Sequence, residues 1–316
     1  MVSLYTHKTA NIRKTWILFS GFLIFVIGIG WVFSQIYGDV SILFIAVIFS
    51  TITSIISYWY SDKIVLGIHQ AKPVTMQNAP ELYRIVENLA ITAGLPTPRI
   101  YIVPEKAPNA FATGRNPEHA VVAVTEGLLD KLDRSELEGV LAHEMSHIGN
   151  RDMLVSTVAV VLAGFISLLS DMFLRSMRYR GNDRGNKAGG AIMLIGLVLA
   201  ILAPISASLI QLAISRKREF LADSSGALLT RYPEGLASAL QKIASDSTPL
   251  RTANNTTAHL WLEDPYKGKK GMWLHKLFMT HPSTEEVAEW FKAHAWKACG
   301  RKPSQVRILS SPPVRK

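Results

Sequence analysis

Apolar positions gather into four long blocks, separated by stretches in which they recur at shorter spacing. The first block, from about Trp16 to Ile36 (WILFSGFLIFVIGIGWVFSQI), reaches roughly 30 Å as a helix rising about 1.5 Å per residue, the thickness of a bilayer core. The second, from about Ser41 to Tyr60 (SILFIAVIFSTITSIISYWY), closes with an aromatic cluster suited to a membrane interface. A short turn without Lys or Arg, Tyr37-Gly38-Asp39, joins the two, so residues 1–60 read as a transmembrane hairpin. The first block is longer than a signal-peptide core and no small-x-small cleavage site follows it, which favours a span. The third block runs from about Met153 to Phe173 and the fourth from about Ala191 to Ile214, with Pro204 inside it, predicting a second hydrophobic hairpin over residues 153–214.

The intervening stretches carry shorter periods. In PELYRIVENLAITAGL, Leu82, Ile85, Val86 and Leu89 fall at helical spacing, and Gly94-Leu95-Pro96 stops the helix. RIYIVPE, NAFATG and HAVVAVTEG are short β-rich runs parted by Pro, Asn and Gly, and they predict a small sheet. Ser135 and Glu138 form a capping-box pattern that opens a helix through ELEGVLAHEMSHI. The expected fold class is α+β: a multi-pass α-helical membrane protein whose polar part is mainly helical and carries a small β-sheet. The second hairpin splits that polar part into residues 61–152 and 215–295, and the basic, Ser- and Pro-rich tail 296–316 is expected to be disordered.

Composition supports this reading. The chain has 316 residues, 48% of them hydrophobic, and a net charge of +10; this is too apolar for a typical soluble domain and fits membrane spans with basic flanks. Basic and aromatic residues do not interleave into a surface motif, so nucleic acid is not an expected partner; the lipid bilayer is. Cys299 is the only cysteine, which excludes an intramolecular disulfide. Lys8, Arg13 and Lys14 precede the first hairpin and Lys63 and Lys72 follow it, so the positive-inside rule puts both its ends in the cytoplasm; a plasma (inner) membrane is the expected location. The loop RSMRYRGNDRGNKAGG carries Arg175, Arg178, Arg180, Arg184 and Lys187 against Asp183 alone, and lies on the wrong side for that rule if the third and fourth blocks cross. Either the first hairpin fixes topology and the loop is tolerated, or these helices dip into the bilayer or pack on the polar part. In both cases an out-and-back hairpin returns the chain to the side it left.

The chemistry concentrates in LAHEMSHIGN. His143 and His147, four apart on a helix, share a face and can present imidazole nitrogens to one Zn²⁺ at about 2.0 to 2.1 Å. Glu144 is turned about 100° away, badly placed to share the metal but able to reach a water on it and take its proton as a carbonyl is attacked. The bland alternative is a polar helix face without a metal. A catalytic zinc takes a third protein ligand and keeps a fourth position open. After the fourth block, SRKREFLADSSGALL places Glu219 and Asp223 four apart. Glu219 can complete a His₂Glu site with Asp223 behind a ligating histidine, or Glu219 can pair with Arg216 or Arg218 while Asp223 is solvated. The hairpin return, which delivers this segment to the side of His143 and His147, favours the ligand reading with one zinc per chain.

HEMSH, followed after a hydrophobic hairpin by REFLAD and preceded by PNAFATG, resembles the membrane zinc metalloproteases of the HtpX type, relatives of the CAAX prenyl proteases. The resemblance covers about residues 10 to 292. It implies a gluzincin-like zinc protease domain, His143, His147 and Glu219 as ligands, Glu144 as general base, and endopeptidase activity on membrane proteins from the cytoplasmic side, as in quality control of misfolded or damaged ones. The spacing argument by itself supports only a zinc hydrolase. The resemblance also suggests that NAFATG, with Asn109, Ala110, Phe111 and Ala112, borders the cleft, where an extended substrate could add as a further strand. The alternative is a plain core strand with Phe111 buried. In similar proteases the histidine of MTHPSTEE, His281, lies in a His-Pro motif near the metal and stabilises an oxyanion. The alternative is a loop histidine before a helix capped by Ser283 with Glu286. Many relatives have a second proline at 283 and an arginine a few positions on, where this chain has Ser283 and Glu285-Glu286. Two narrower readings stay open. One is a CAAX-type processing protease, for which four apolar blocks are few to build an enclosed membrane chamber. The other is a non-catalytic zinc-stabilised scaffold or chaperone, which would need the ligands but not Glu144. The oligomeric state is not legible.

Overall fold

The structure, a computed structural model, describes residues 4–179, 216–252, 257 and 260–263. The fourth apolar block, residues 180–190 of the basic loop before it, His281 and the tail 296–316 lie outside the described residues.

Two helices begin the chain, α1 (Leu4–Tyr37) and α2 (Ser41–Ile68), and both are long and apolar enough to cross a membrane. Trp16, Ile24, Phe44, Ile45 and Trp59 are more than half exposed on them, an apolar surface that suits lipid. A strand β1 (Lys72–Pro73) follows, then α3 (Pro80–Ala93), which ends as expected at Gly94 in the left-handed conformation. Next come β2 (Arg99–Val103), β3 (Ala110–Thr113), β4 (Val121–Thr125), the short α4 (Glu126–Lys131) and α5 (Arg134–Asn150). The third apolar block is α6 (Asp152–Tyr179), and beyond the undescribed segment stand α7 (Arg216–Thr230) and α8 (Pro233–Ser245).

The sheet runs β1-β2-β4-β3, with β2 parallel to β4 and both outer pairs antiparallel, so β3 is an edge strand. Both faces are covered, as the fully buried β4 requires. Ile100, Ala110, Ala112, Val122 and Val124 pack with α3, α5 and α8 on one face. On the other, Val103, Phe111, Val121 and Ala123 meet Val65 and Leu66 from the end of α2, Val160 of α6, and Trp261. A helix that begins in the membrane thus finishes against the back of the sheet.

Helix α5 lies in the middle of the polar part and buries Leu137, Val140, Leu141, Met145 and Ile148. Its cap is not the expected Ser135–Glu138 box. Asp133 accepts from the backbone N–H groups of Ser135 and Glu136, while the Glu136 carboxylate accepts from the Asp133 N–H. The reading two residues later lost because Asp is as good an N-cap as Ser and adds a negative charge at the helix's positive end. Glu136 is also needed elsewhere, since it accepts from Ser238 and Lys242 of α8. At the other end Arg151, with φ of 58°, closes α5 by donating to His147 and Ile148 carbonyls, and α6 leaves at 84° to α5. Below this elbow α6 packs Leu154, Val155, Val158 and Leu162 against Leu18, Phe19 and Phe22 of α1.

Candidate metal centre

His143 and His147 stand one helical turn apart on α5 with ring centroids 4.7 Å apart and planes at 82°. Their Nε2 atoms come within 3.1 Å of each other. From α7, the Glu219 Oε2 lies 3.7 Å from the His143 Nε2 and 3.5 Å from the His147 Nε2. One donor atom from each residue falls within 4.8 Å of the other two. Two basic nitrogens and a carboxylate oxygen aimed at one point form a donor set that could hold a metal ion, of the His₂Glu kind that suits zinc.

The Nδ1 atoms explain why the rings face this way. His143 Nδ1 bonds to Asp223 Oδ1 at 2.8 Å, and His147 Nδ1 to Asp152 Oδ2 at 3.2 Å. A carboxylate behind each ring fixes the proton on Nδ1 and leaves a lone pair on Nε2, the tautomer a metal needs. Burial works against a charge on His147, but Glu219 and Asp152 outweigh it and hold that imidazole well above its ordinary value of 6.5. Without a metal a proton is therefore retained at this site, and the two compete. The side chains of His143 and Asp223 are 1% and 0% exposed, whereas His147 and Glu219 keep 14% and 15%, so the cluster is closed on one side and open on the other. A catalytic zinc has the same asymmetry.

Glu219, Asp223 and Gly226 share a face of α7 at i, i+4 and i+7, and the glycine brings that face to α5. A Cβ at Gly226 would stand 2.9 Å from the His143 backbone nitrogen. Gly226→Ala should therefore push α7 off α5, destabilise the protein by about 1–3 kcal/mol and weaken zinc binding. Gly164→Ala in α6, where a Cβ meets nothing within 4 Å, should be neutral or stabilising. Thermal unfolding and zinc titration of the two variants compare the signs directly.

The sequence-based ligands thus converge, and Asp223 lies behind His143. Glu144 follows His143 on α5 and is buried, 3% exposed. The β3 residues divide. Ala110 and Ala112 face α5, whereas Phe111 is fully buried on the opposite face against His69 and Trp261, as the core-strand alternative had it. The Asn109 side chain donates to the Glu263 carbonyl and accepts from its N–H, and the Ala110 carbonyl accepts from Leu262. Sequence reasoning missed Asp152, the partner of His147. The signal was available: each ligating histidine needs an acceptor behind it, Asp223 serves one, and Asp152 is the acidic residue that follows His147 most closely.

The chain is similar to known proteins. The profile of Peptidase family M48 matches residues 76–289. A protein called Protease HtpX homolog from Caldanaerobacter subterraneus is 46% identical over 299 residues, covering 92% of this chain and 98% of its own. A second of that name, from Thermococcus kodakarensis, is 51% identical over 267 residues, covering 84% and 89%. Among solved structures, that of S. mikatae Ste24p aligns with a TM-score of 0.49 and 19% identity, covering 88% of this chain and 66% of that one.

Proposed function

The chain belongs to peptidase family M48 and is a metalloprotease, and from that premise we propose that it is a membrane-bound zinc endopeptidase that cleaves misfolded or damaged membrane proteins on the cytoplasmic side of the plasma (inner) membrane. The observation that carries this reading is the convergence of His143, His147 and Glu219, each histidine backed by its own carboxylate. These three residues would hold the zinc. When bound, zinc supplies Lewis acidity toward a peptide carbonyl and lowers the pKa of water. Glu144 takes up the proton released as water adds to the carbonyl and returns it to the departing amine. Asp223 and Asp152 keep the Nδ1 protons in place throughout.

Substrate binding follows from the β3 edge. Asn109 bonds to Thr125 of β4, so by antiparallel alternation the backbone groups of Ala110 and Ala112 turn away from the sheet. Leu262 takes the Ala110 carbonyl. The substrate strand therefore adds at Ala112, through main-chain hydrogen bonds that read no sequence and accept any extended segment. Sequence-blind recognition suits an enzyme that selects unfolded chains. Glu144 favours this reading over a scaffold, which needs no base.

The test uses the full chain in detergent micelles with zinc, offered one membrane protein in folded and heat-damaged forms. Cleavage of the damaged form at least ~10-fold faster, a margin one lost recognition interaction would give, stopped by a chelator and restored by zinc, is expected. Equal cleavage of both forms would sink the quality-control reading while leaving the protease intact.

A further inference from the structure

Behind His147 the Asp152 carboxylate is held by a residue of the membrane hairpin. Asn11, near the start of α1, donates its Nδ2 to Asp152 Oδ1 at 2.6 Å and to the carbonyl of Asn150, the last residue of α5, at 3.1 Å. Asn11 and Asp152 are 3% and 4% exposed. Both acceptors require the amide nitrogen on this side, which fixes the orientation of the Asn11 amide and uses both its hydrogens. The two oxygens of Asp152 are thereby divided: Oδ2 serves the His147 ring, and Oδ1 serves Asn11. Arg218, one residue before Glu219, competes for the same oxygen, with its Nε 3.8 Å from Oδ1.

We infer that Asn11 is a positioning residue for the metal centre: through Asp152 it fixes the His147 ring, so that the seating of the first membrane helix is registered at the metal site. The inference rests on the zinc reading of His143, His147 and Glu219. Asn11 sits on the seam that packs α1 against α6, in line with Thr15, Leu18 and Phe22 at i+4, i+7 and i+11. It also spans the α5–α6 elbow, because Asn150 ends one helix and Asp152 begins the other. Without the amide, the Asn150 carbonyl loses its donor and the Asp152 carboxylate is drawn toward Arg218, away from His147. Charge decides this direction when the His147 imidazole is neutral, as a metal on its Nε2 requires: the Arg218 cation then attracts the carboxylate more strongly than the imidazole N–H does.

The test is zinc affinity, read by chelator competition on the full chain in micelles. Wild type should bind one zinc per chain, and Glu219→Ala should not; failure of that comparison removes the metal reading itself. Given it, Asn11→Ala should weaken zinc binding about 10- to 100-fold, as loss of an outer partner does. Leu18→Ala, on the same seam but without a bond to Asp152, should stay within about twofold, a difference too small to signal a lost hydrogen bond. The double variant Asn11→Ala/Asp152→Asn should bind no more weakly than Asp152→Asn alone, because one residue acts through the other. Wild-type affinity in Asn11→Ala, an equal loss in Leu18→Ala, or additive losses in the double variant overturns the inference. If Asn11→Ala does not fold, Asn11→Ser, with a single short donor, takes its place in the same comparison.

Discussion

Glu144→Gln should lower peptide hydrolysis by about 10²- to 10⁴-fold, the range of a lost general base, while zinc remains at wild-type stoichiometry. The substitution preserves shape, which matters at a position only 3% exposed, and it removes the ability to accept a proton. Glu144 lies outside the ligand cluster of His143, His147 and Glu219, so the metal has no reason to leave. Rate and zinc content are measured on the same preparation, with an unfolded protein as substrate. Equal cleavage by the two proteins would end the hydrolytic mechanism; loss of zinc would instead make Glu144 a determinant of the metal site.

Glu219→Ala should have the opposite signature, with zinc lost first and activity as a consequence. It would remove one of the three proposed ligands and the site's anionic donor, so its effect should exceed the roughly 10- to 100-fold attributed to an outer partner such as Asp223. Bound zinc per chain, measured after dialysis, should fall well below wild type, and no added zinc within a physiological range should restore the rate. A wild-type zinc content would strike Glu219 from the ligands and leave its 3.5 Å approach to His147 as an ion pair.

What was legible in the sequence was whatever leaves a local signature. The helical spacing of Leu82, Ile85, Val86 and Leu89, stopped at Gly94, is α3. The three β-rich runs are β2, β3 and β4, and the pair of i, i+4 motifs carried by α5 and α7 meets where His143, His147 and Glu219 could hold a metal ion. Strand β1 was not legible, because two residues have no period and the second is a proline, which strands admit only at edges. The Asp133 cap was missed because two capping patterns overlap in LDRSELE, and the contacts of Glu136 with Ser238 and Lys242, which arbitrate, come from about a hundred residues away. Asn11 was out of reach for the same reason: a single amide near the chain's start shows no sign of a carboxylate 141 positions later.

The length of α2 has a consequence for where the enzyme works. At about 1.5 Å per residue its 28 residues span roughly 42 Å, about 12 Å more than a bilayer core. The half-exposed Trp59 and Tyr60 mark the interface eight residues before its end, which gives the same figure. The emergent turns finish on the sheet through Val65 and Leu66. α2 therefore acts as a ruler that holds the sheet at a fixed, small height above the lipid. Under the proposed function, a metal site held at that height would meet its substrates by diffusion in the plane of the membrane and favour segments that leave the bilayer nearby over chains arriving from bulk solvent.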